Sequence, residues 1–495
     1  MAGIGFELKK MFEKRGLLSI IRAYGYAGVV CTGPMILGVL LLLGVRFLAR
    51  IAGTTEGEIE FLNAIVQYTM LFSMILSNGF TLVTTRYVSD WLYMNKPERV
   101  MPAFWGCTSL MLVIGIPCYI LFMSASKLPL LYLIFSIGLF GELILVWTEI
   151  HFLTAIKDYE AIMKTFLVAV IVAFATGSIL FQTSLDVVAV MLIAVNVAYG
   201  VMAVWYYVLM AQYFPKGRCS SLHFLKWFDK YPQLSFLGVF LSIGVYGHIF
   251  IMWTWPIGKQ IYGLMYVAPE YDIPALLAFM STLITTINFI SSVEVKFYAK
   301  YKIYFNLFND GGSYIDIEQA EREMKTMLVQ ELAYTFSKQF FATIVFIVVG
   351  TVVLPQLPLG MTEDMLGIFR VLCVGYAFYA IGNTLMLIQL YFSDNKGALV
   401  SVMIFSIISC LATLLLRNVK VKYYGVGFML GGIAFTLTAV VLLFLYLKKL
   451  VFYVLCSQPI VAIEKRGKLT EWGEYFEQKY RKKYHIDIME ESEEE

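Results

Sequence analysis

Residues 128–153 read LPLLYLIFSIGLFGELILVWTEIHFL. Only Glu142, Glu149 and His151 interrupt the apolar run, which exceeds the ~20 residues an α-helix needs to cross a hydrocarbon core. Backbone polar groups in lipid must be bonded within the segment, so a run of this length is a helix. No strand-length alternation of apolar and polar residues is visible, which argues against a β-barrel. Working outward, similar runs fall at 23–49, 61–89, 101–124, 159–181, 186–212, 234–256, 273–298, 338–355, 365–392, 397–416 and 424–447. The 495 residues are 59% hydrophobic and 15% charged, whereas soluble domains are roughly 45–50% apolar and about 25% charged. The expected fold class is an all-α integral membrane protein with about twelve transmembrane helices.

Charge sets the expected orientation. With the N-terminus in the cytoplasm, about 30 of the 38 Lys and Arg residues fall on the cytoplasmic side and about 7 outside, with Arg370 inside a span. Both termini are therefore expected to be cytoplasmic. Arg417, Lys420 and Lys422 dissent in an outer loop, where only contact with an external anionic group would account for them. The net charge of +3 is too small to suggest nucleic acid. Seven cysteines lie scattered without a CxxC or Cys/His spacing, so neither a disulfide frame nor a metal site is expected. The N-terminus, MAGIGFELKKMFEKRGLLSIIRAYG, carries charge throughout its first turns and lacks a short apolar core, so no cleaved leader is expected.

The domain reading follows from the polar gaps. Residues 1–22 form a cytoplasmic amphipathic helix suited to headgroups. Residues 23–212 form a first set of six spans, and 213–233 a basic cytoplasmic linker. Residues 234–447 form a second set of six with a cytoplasmic loop at 299–337, and 448–495 a cytoplasmic tail. Within the long loop, 315–334 reads as an amphipathic helix that Asp316 caps. The tail reads as a membrane-hugging helix with an acidic end. A faint echo between FSMILSNGFTLVTTRYVSDWLY (72–93) and FMSTLITTINFISSVEVKFYAKY (279–301) suggests that the two halves repeat about an axis along the membrane normal.

No phosphate-binding glycine loop, GxSxG or HExxH occurs, and the four histidines are isolated from one another. An enzyme is not expected, and neither is a cofactor. Ionisable groups at membrane depth are costly and by default mark a cavity or a partner. Glu142 and Glu149 lie seven residues apart on one helix face. They are either carboxylates lining a water-filled path or, for Glu149 above all, ion-pair partners of Arg86, Lys157 or Lys296. Arg370 either snorkels outward or lines a cavity. His248, alone in its span, is a weak titratable candidate. Asn63, Gln67, Asn78, Thr285, Thr286, Asn288, Asn383 and Gln389 place amides and hydroxyls within spans. Tyr24, Tyr26, Tyr68, Tyr199, Tyr246, Tyr376 and Tyr379 add aromatic faces. Such a lining suits a neutral polysaccharide, although polar residues also bridge helices. Pro34, in CTGPMILG, frees a backbone carbonyl and is a hinge candidate. Glu56, Glu58 and Glu60 stand where a membrane glycosyltransferase needs outer-loop acids, but without a large outer domain they read as a solvated loop.

Several stretches resemble the Pel exopolysaccharide exporter family, PelG. They are MAGIGFELKK, RAYGYAGVVCTGP, FSMILSNGFTLVTTRYVSDWLYMNKPERVMPAF, YPQLSFLGVF, YDIPALLAFMSTL, EVKFYAKYKIYFNLFNDGGSYIDIEQAEREM and GYAFYAIGNTLMLIQLYFSDNKGAL. The resemblance covers nearly the whole chain. It departs in the seventh span, where the family pattern has an adjacent acid and lysine and this chain has His248 and Ile249. A charged-pair coupling role is not expected there. The resemblance implies the MOP flippase superfamily, with two six-helix bundles (MATE-like) around a central cavity in a bacterial cytoplasmic membrane. It implies a cargo rich in N-acetylgalactosamine and N-acetylglucosamine. The implied partners are a PelF-like cytoplasmic glycosyltransferase, a PelD-like cyclic di-GMP receptor and PelE-like membrane proteins. The basic loops 213–233 and 299–337 are the expected docking sites for the synthase. A lipid-linked-sugar or small-molecule antiporter of the same superfamily is the alternative.

Overall fold

The computed structural model describes residues 44, 47, 53–156, 159–217, 219–254, 257–289, 296–309, 311–357, 360–456 and 466–484. Among these, ten helices are long and apolar enough to cross a membrane. They coincide with ten of the expected spans. The first span (23–49), the N-terminal amphipathic segment and Pro34 lie outside the described residues, apart from positions 44 and 47. The eighth span departs from expectation.

The described residues pack as two compact units. The first runs to Ser242 and also takes 260–265 and 466–484; the second takes 243–259 and 266–456. In the first unit, α1 (Glu56–Tyr93), α2 (Val100–Ala125), α3 (Leu130–Ile156), α4 (Tyr159–Leu180) and α5 (Val187–Tyr213) precede the short α6 (Leu225–Lys230). A capping box starts α1: Thr55 accepts from the Glu58 amide, and Glu58 accepts from the Thr55 amide at 2.9 Å. The acids at 56 and 58 therefore sit where the helix dipole favours them. Glycines bring α3 and α5 together. Gly138 lies against Asn196 and Gly200 against Glu142, so the contacts advance in the same direction and the two helices run parallel. The first half of α7 (Pro232–Thr254) belongs to this unit. There Gly238 lies so close to the Asn78 carbonyl that a Cβ would collide with it.

The C-terminal helix α16 (Lys468–Tyr484) also belongs to the first unit. Asp229 accepts from the Thr470 amide at 2.7 Å and its hydroxyl at 2.9 Å. This makes Asp229 an N-cap supplied by a distant segment. In return, Glu477 accepts from the Ser220 amide at 2.8 Å. Lys226 and Glu474 add an ion pair at 3.4 Å. The tail helix thus docks on the chain's own 220–229 segment, where a membrane-hugging helix was expected. Part of one loop expected to receive the synthase is thereby occupied.

A two-stranded hairpin, β1 (Lys259–Tyr262) and β2 (Met265–Val267), precedes α8 (Pro269–Phe279), the first helix that lies wholly in the second unit. The continuous eighth span expected over 273–298 is instead interrupted. A 3-10 turn, Met280–Thr282, separates α8 from α9 (Leu283–Asn288), and α10 (Tyr298–Asn309) follows further along. Ser281 and Thr282 each donate to the carbonyl three residues back, at 2.7 Å, which competes with the helical ladder. The amphipathic helix and the ninth span, expected as two elements, form one 40-residue helix, α11 (Tyr314–Val353). Nothing in AYTFSKQFF, with neither Gly nor Pro, breaks it. At 1.5 Å per residue it is about 60 Å long, about twice the hydrocarbon thickness. Ser313 is its N-cap, accepting from the Asp316 amide at 3.2 Å. Asp316, the expected cap, sits three residues in. The helices α12 (Glu363–Tyr391), α13 (Asn395–Leu415), α14 (Val426–Lys448) and α15 (Leu450–Cys456) complete the unit.

One face of α11 is polar and buried: Glu331, Thr335, Gln339 and Thr343 recur every fourth residue. Gln339 donates to the Ser281 carbonyl at 3.3 Å and to Thr343 at 3.2 Å. Thr285 donates to its carbonyl oxygen. Lys296 pairs with Glu331 at 2.8 Å and Lys300 with Glu323 at 2.7 Å. Together these bonds hold the interrupted eighth span against α11.

Replacing Gln339 with Leu leaves the Ser281 carbonyl and the Thr285 hydroxyl without that partner, at a cost of about 1–3 kcal/mol for each group. The thermal midpoint in detergent should fall by about 2–5 °C. Replacing Asp229 with Ala removes the distant N-cap, worth about 0.5–2 kcal/mol. Hydrogen exchange across 468–484 should accelerate about 2- to 30-fold, with the spans unaffected.

Candidate functional site

A cavity of about 230 Å3 opens in the second unit between the interrupted eighth span and α12. Phe279, Thr282, Thr285, Thr286 and Phe289 line one wall; Tyr379, Ala380, Asn383, Thr384 and Leu387 line the other. None of these ten residues is charged. The volume equals that of roughly seven or eight waters, enough for about one sugar residue. The α12 wall follows helical spacing, since 379/380, 383/384 and 387 lie one turn apart. The opposite wall follows the same spacing, since Phe279, Thr282, Thr285 and Thr286, and Phe289 recur every three or four residues.

The sequence had singled out Thr285, Thr286, Asn383 and Tyr379. It had not pointed to Thr282, Thr384 or Gln339. The four-residue recurrence of polar side chains along α11 is the signal that would have found Gln339. Tyr376 stands behind this wall: it is buried, with its ring 5.4 Å from Phe279 and 6.4 Å from Tyr379. Tyr246 is half-buried on the part of α7 that belongs to the second unit. Asn288 is buried and accepts from Lys338 at 3.1 Å. It ties the eighth span to α11 and is not among the lining residues.

The other expected residues are placed elsewhere. His248 is fully buried, with Nδ1 2.7 Å from the Tyr271 hydroxyl and its ring 4.3 Å from Phe428. Its Nε2 has no hydrogen-bond partner among the described residues. Arg370 donates to the Thr351 hydroxyl at 3.1 Å, which bridges α12 to α11; it neither lines the cavity nor stands free. Asn78 donates to Ser242 at 2.8 Å within the first unit and so bridges α1 to α7.

Glu142 and Glu149 belong to the first unit, both on α3. A Cβ on Gly200 would lie 3.3 Å from Glu142 Oε1. Glu149 is 1% exposed. Oε2 of each carboxylate is buried without a hydrogen-bond partner among the described residues. Two cations considered for Glu149 are engaged elsewhere: Arg86 pairs with Asp90 at 3.0 Å, and Lys296 with Glu331. Lys157 lies outside the described residues. No group of three or more His, Cys, Asp or Glu that could hold a metal occurs among the described residues.

The fold is shared with solved transporters of low sequence identity. The eukaryotic MATE transporter AtDTX14 superimposes with a TM-score of 0.53 at 13% identity, covering 92% of this chain and 99% of that one. An inward-facing multidrug resistance MATE family transporter of the MOP superfamily gives 0.52 at 11%, over 86% and 99%. An outward-facing one gives 0.51 at 13%, over 86% and 96%. No curated protein sequence matches the chain. The model of the PelG family, described as "Putative exopolysaccharide Exporter (EPS-E)", matches residues 1–455, and a match of that extent, on a MATE-like all-α membrane fold, places the chain in the PelG family.

Proposed function

We propose that the chain exports a nascent, neutral, N-acetylhexosamine-rich polysaccharide across the bacterial cytoplasmic membrane. In this reading both termini are cytoplasmic, and a PelF-like glycosyltransferase delivers polymer from that side with PelD-like and PelE-like proteins. The observation that carries the reading is the uncharged cavity between the interrupted eighth span and α12. Its hydroxyls and amide match ring hydroxyls and N-acetyl groups, and Phe279, Phe289 and Tyr379 offer apolar faces to the flat side of a sugar ring. A polymer must also leave the site it enters. Several weak, neutral hydrogen bonds permit that where a buried charge would hold the cargo.

A second reading, an ion-coupled antiporter of the same superfamily, is favoured by Glu142 and Glu149. A carboxylate in a water-poor interior is costly as an unpaired anion. It is retained where it exchanges a proton or a cation.

Membrane vesicles that contain the synthase and labelled sugar nucleotide test both readings. Asn383→Leu, which removes the cavity amide at similar volume, should cut export of labelled polymer about tenfold or more while the protein still reaches the membrane. Unchanged export would remove the cavity from the path. Glu142→Gln should abolish any dependence of export on an imposed ion gradient. If gradient-driven export persists in that variant, Glu142 has no coupling role.

A further inference from the structure

The four threonines of the cavity have already committed their protons. Thr282 donates to the Phe279 carbonyl at 2.7 Å, Thr286 to the Thr282 carbonyl at 3.3 Å and Thr384 to the Ala380 carbonyl at 2.9 Å. Thr285 donates to Gln339 Oε1. The Gln339 amide cannot be turned around. Its other end faces the Ser281 carbonyl, which only accepts, so nitrogen must stand there and oxygen must face Thr285. Thr343 completes the arrangement, since it gives its own proton to the Gln339 backbone carbonyl at 2.8 Å and accepts from the Gln339 amide.

A hydroxyl has one proton and two lone pairs. Once the proton is committed, only lone pairs face the cavity. Donation into the cavity is left to the Asn383 amide and the Tyr379 hydroxyl. No lysine, arginine or histidine is among the lining residues.

We infer that the cavity is an acceptor-lined subsite that selects sugars by the hydrogen bonds they donate and discriminates against uronic acids. The inference rests on the reading of the cavity as a sugar subsite and adds its polarity. Ring hydroxyls and an amide N–H donate to the threonine oxygens. A carboxylate brings acceptors to acceptors and a negative charge to a place without a cation, which is rejection by unmatched polarity. Thr285 is the most firmly set of the four, because turning its proton toward a ligand would leave Gln339 Oε1 buried without it.

The test uses the full chain in nanodiscs with two probes of equal length, a neutral N-acetylhexosamine oligosaccharide and an oligosaccharide of the corresponding uronic acid. Titration calorimetry reads the dissociation constants. The neutral probe should bind at least tenfold more tightly. Thr286→Val, which keeps shape and loses the acceptor, should weaken neutral binding about tenfold, and Thr286→Ser should restore it; Thr384→Val with Thr384→Ser repeats the comparison on the opposite wall. If the two probes bind equally, or the uronic acid more tightly, the polarity is overturned while the sugar subsite stands. Neutral binding that survives both valine variants overturns it as well. If neither probe binds the parent chain, the sugar-subsite reading falls, and the inference with it.

Discussion

Gln339 gives its amide to the carbonyl of Ser281 and takes the proton of Thr285, and the interruption of the eighth span depends on that exchange. A helix in lipid breaks only where something else satisfies the freed backbone. Here the partner is a side chain on α11, buried in a row with Glu331, Thr335 and Thr343. Thr282, Thr285 and Thr286, at ordinary helical spacing, stand on one wall beside the break. The cavity wall and the side chain that fastens it thus share one hydrogen bond, Thr285 to Gln339. Lys296, Lys338 and Lys300 fasten the same seam along α11.

The two units leave different polar atoms open. In the second, the cavity threonines are all internally bonded. Elsewhere in that unit Gln389, buried on α12, has neither end of its amide bonded among the described residues, and His248 Nε2 and the Tyr304 hydroxyl are open as well. In the first, the open atoms include one oxygen each of Glu142 and Glu149, beside the neutral hydroxyls of Ser77 and Thr108. Gly200 leaves room for Glu142, since a side chain there would press on the carboxylate.

The spans were legible because length of apolar run is a strong signal in this environment. Glu363–Tyr391 falls within two residues of the expected 365–392. The interruption at Met280–Thr282 was not legible. Serines and threonines are compatible with an intact helix, and the residue that permits the break lies 58 positions from Ser281. The fusion of the amphipathic helix with the ninth span was missed because the change from polar to apolar at Phe336–Phe341 marks a membrane boundary, which is no obstacle to a backbone. Of the polar residues noted as a class, Thr285, Thr286, Asn383 and Tyr379 meet at the cavity, whereas Asn78 and Asn288 bridge helices. Type alone does not distinguish a lining residue from a bridging one, since both satisfy the same hydrogen bonds.

The docking of α16 on the 220–229 segment bears on synthesis. Ser220 and Glu477 stand 257 residues apart in sequence, and ribosomes add roughly 5–20 residues each second. The amide of Ser220 therefore waits on the order of 10 to 50 seconds before its partner exists. The first unit, although made first, is completed last. A chain that stops short of α16 leaves the Ser220 amide and the Asp229 carboxylate without these partners, so the last residues to be made close a segment laid down near the middle of synthesis.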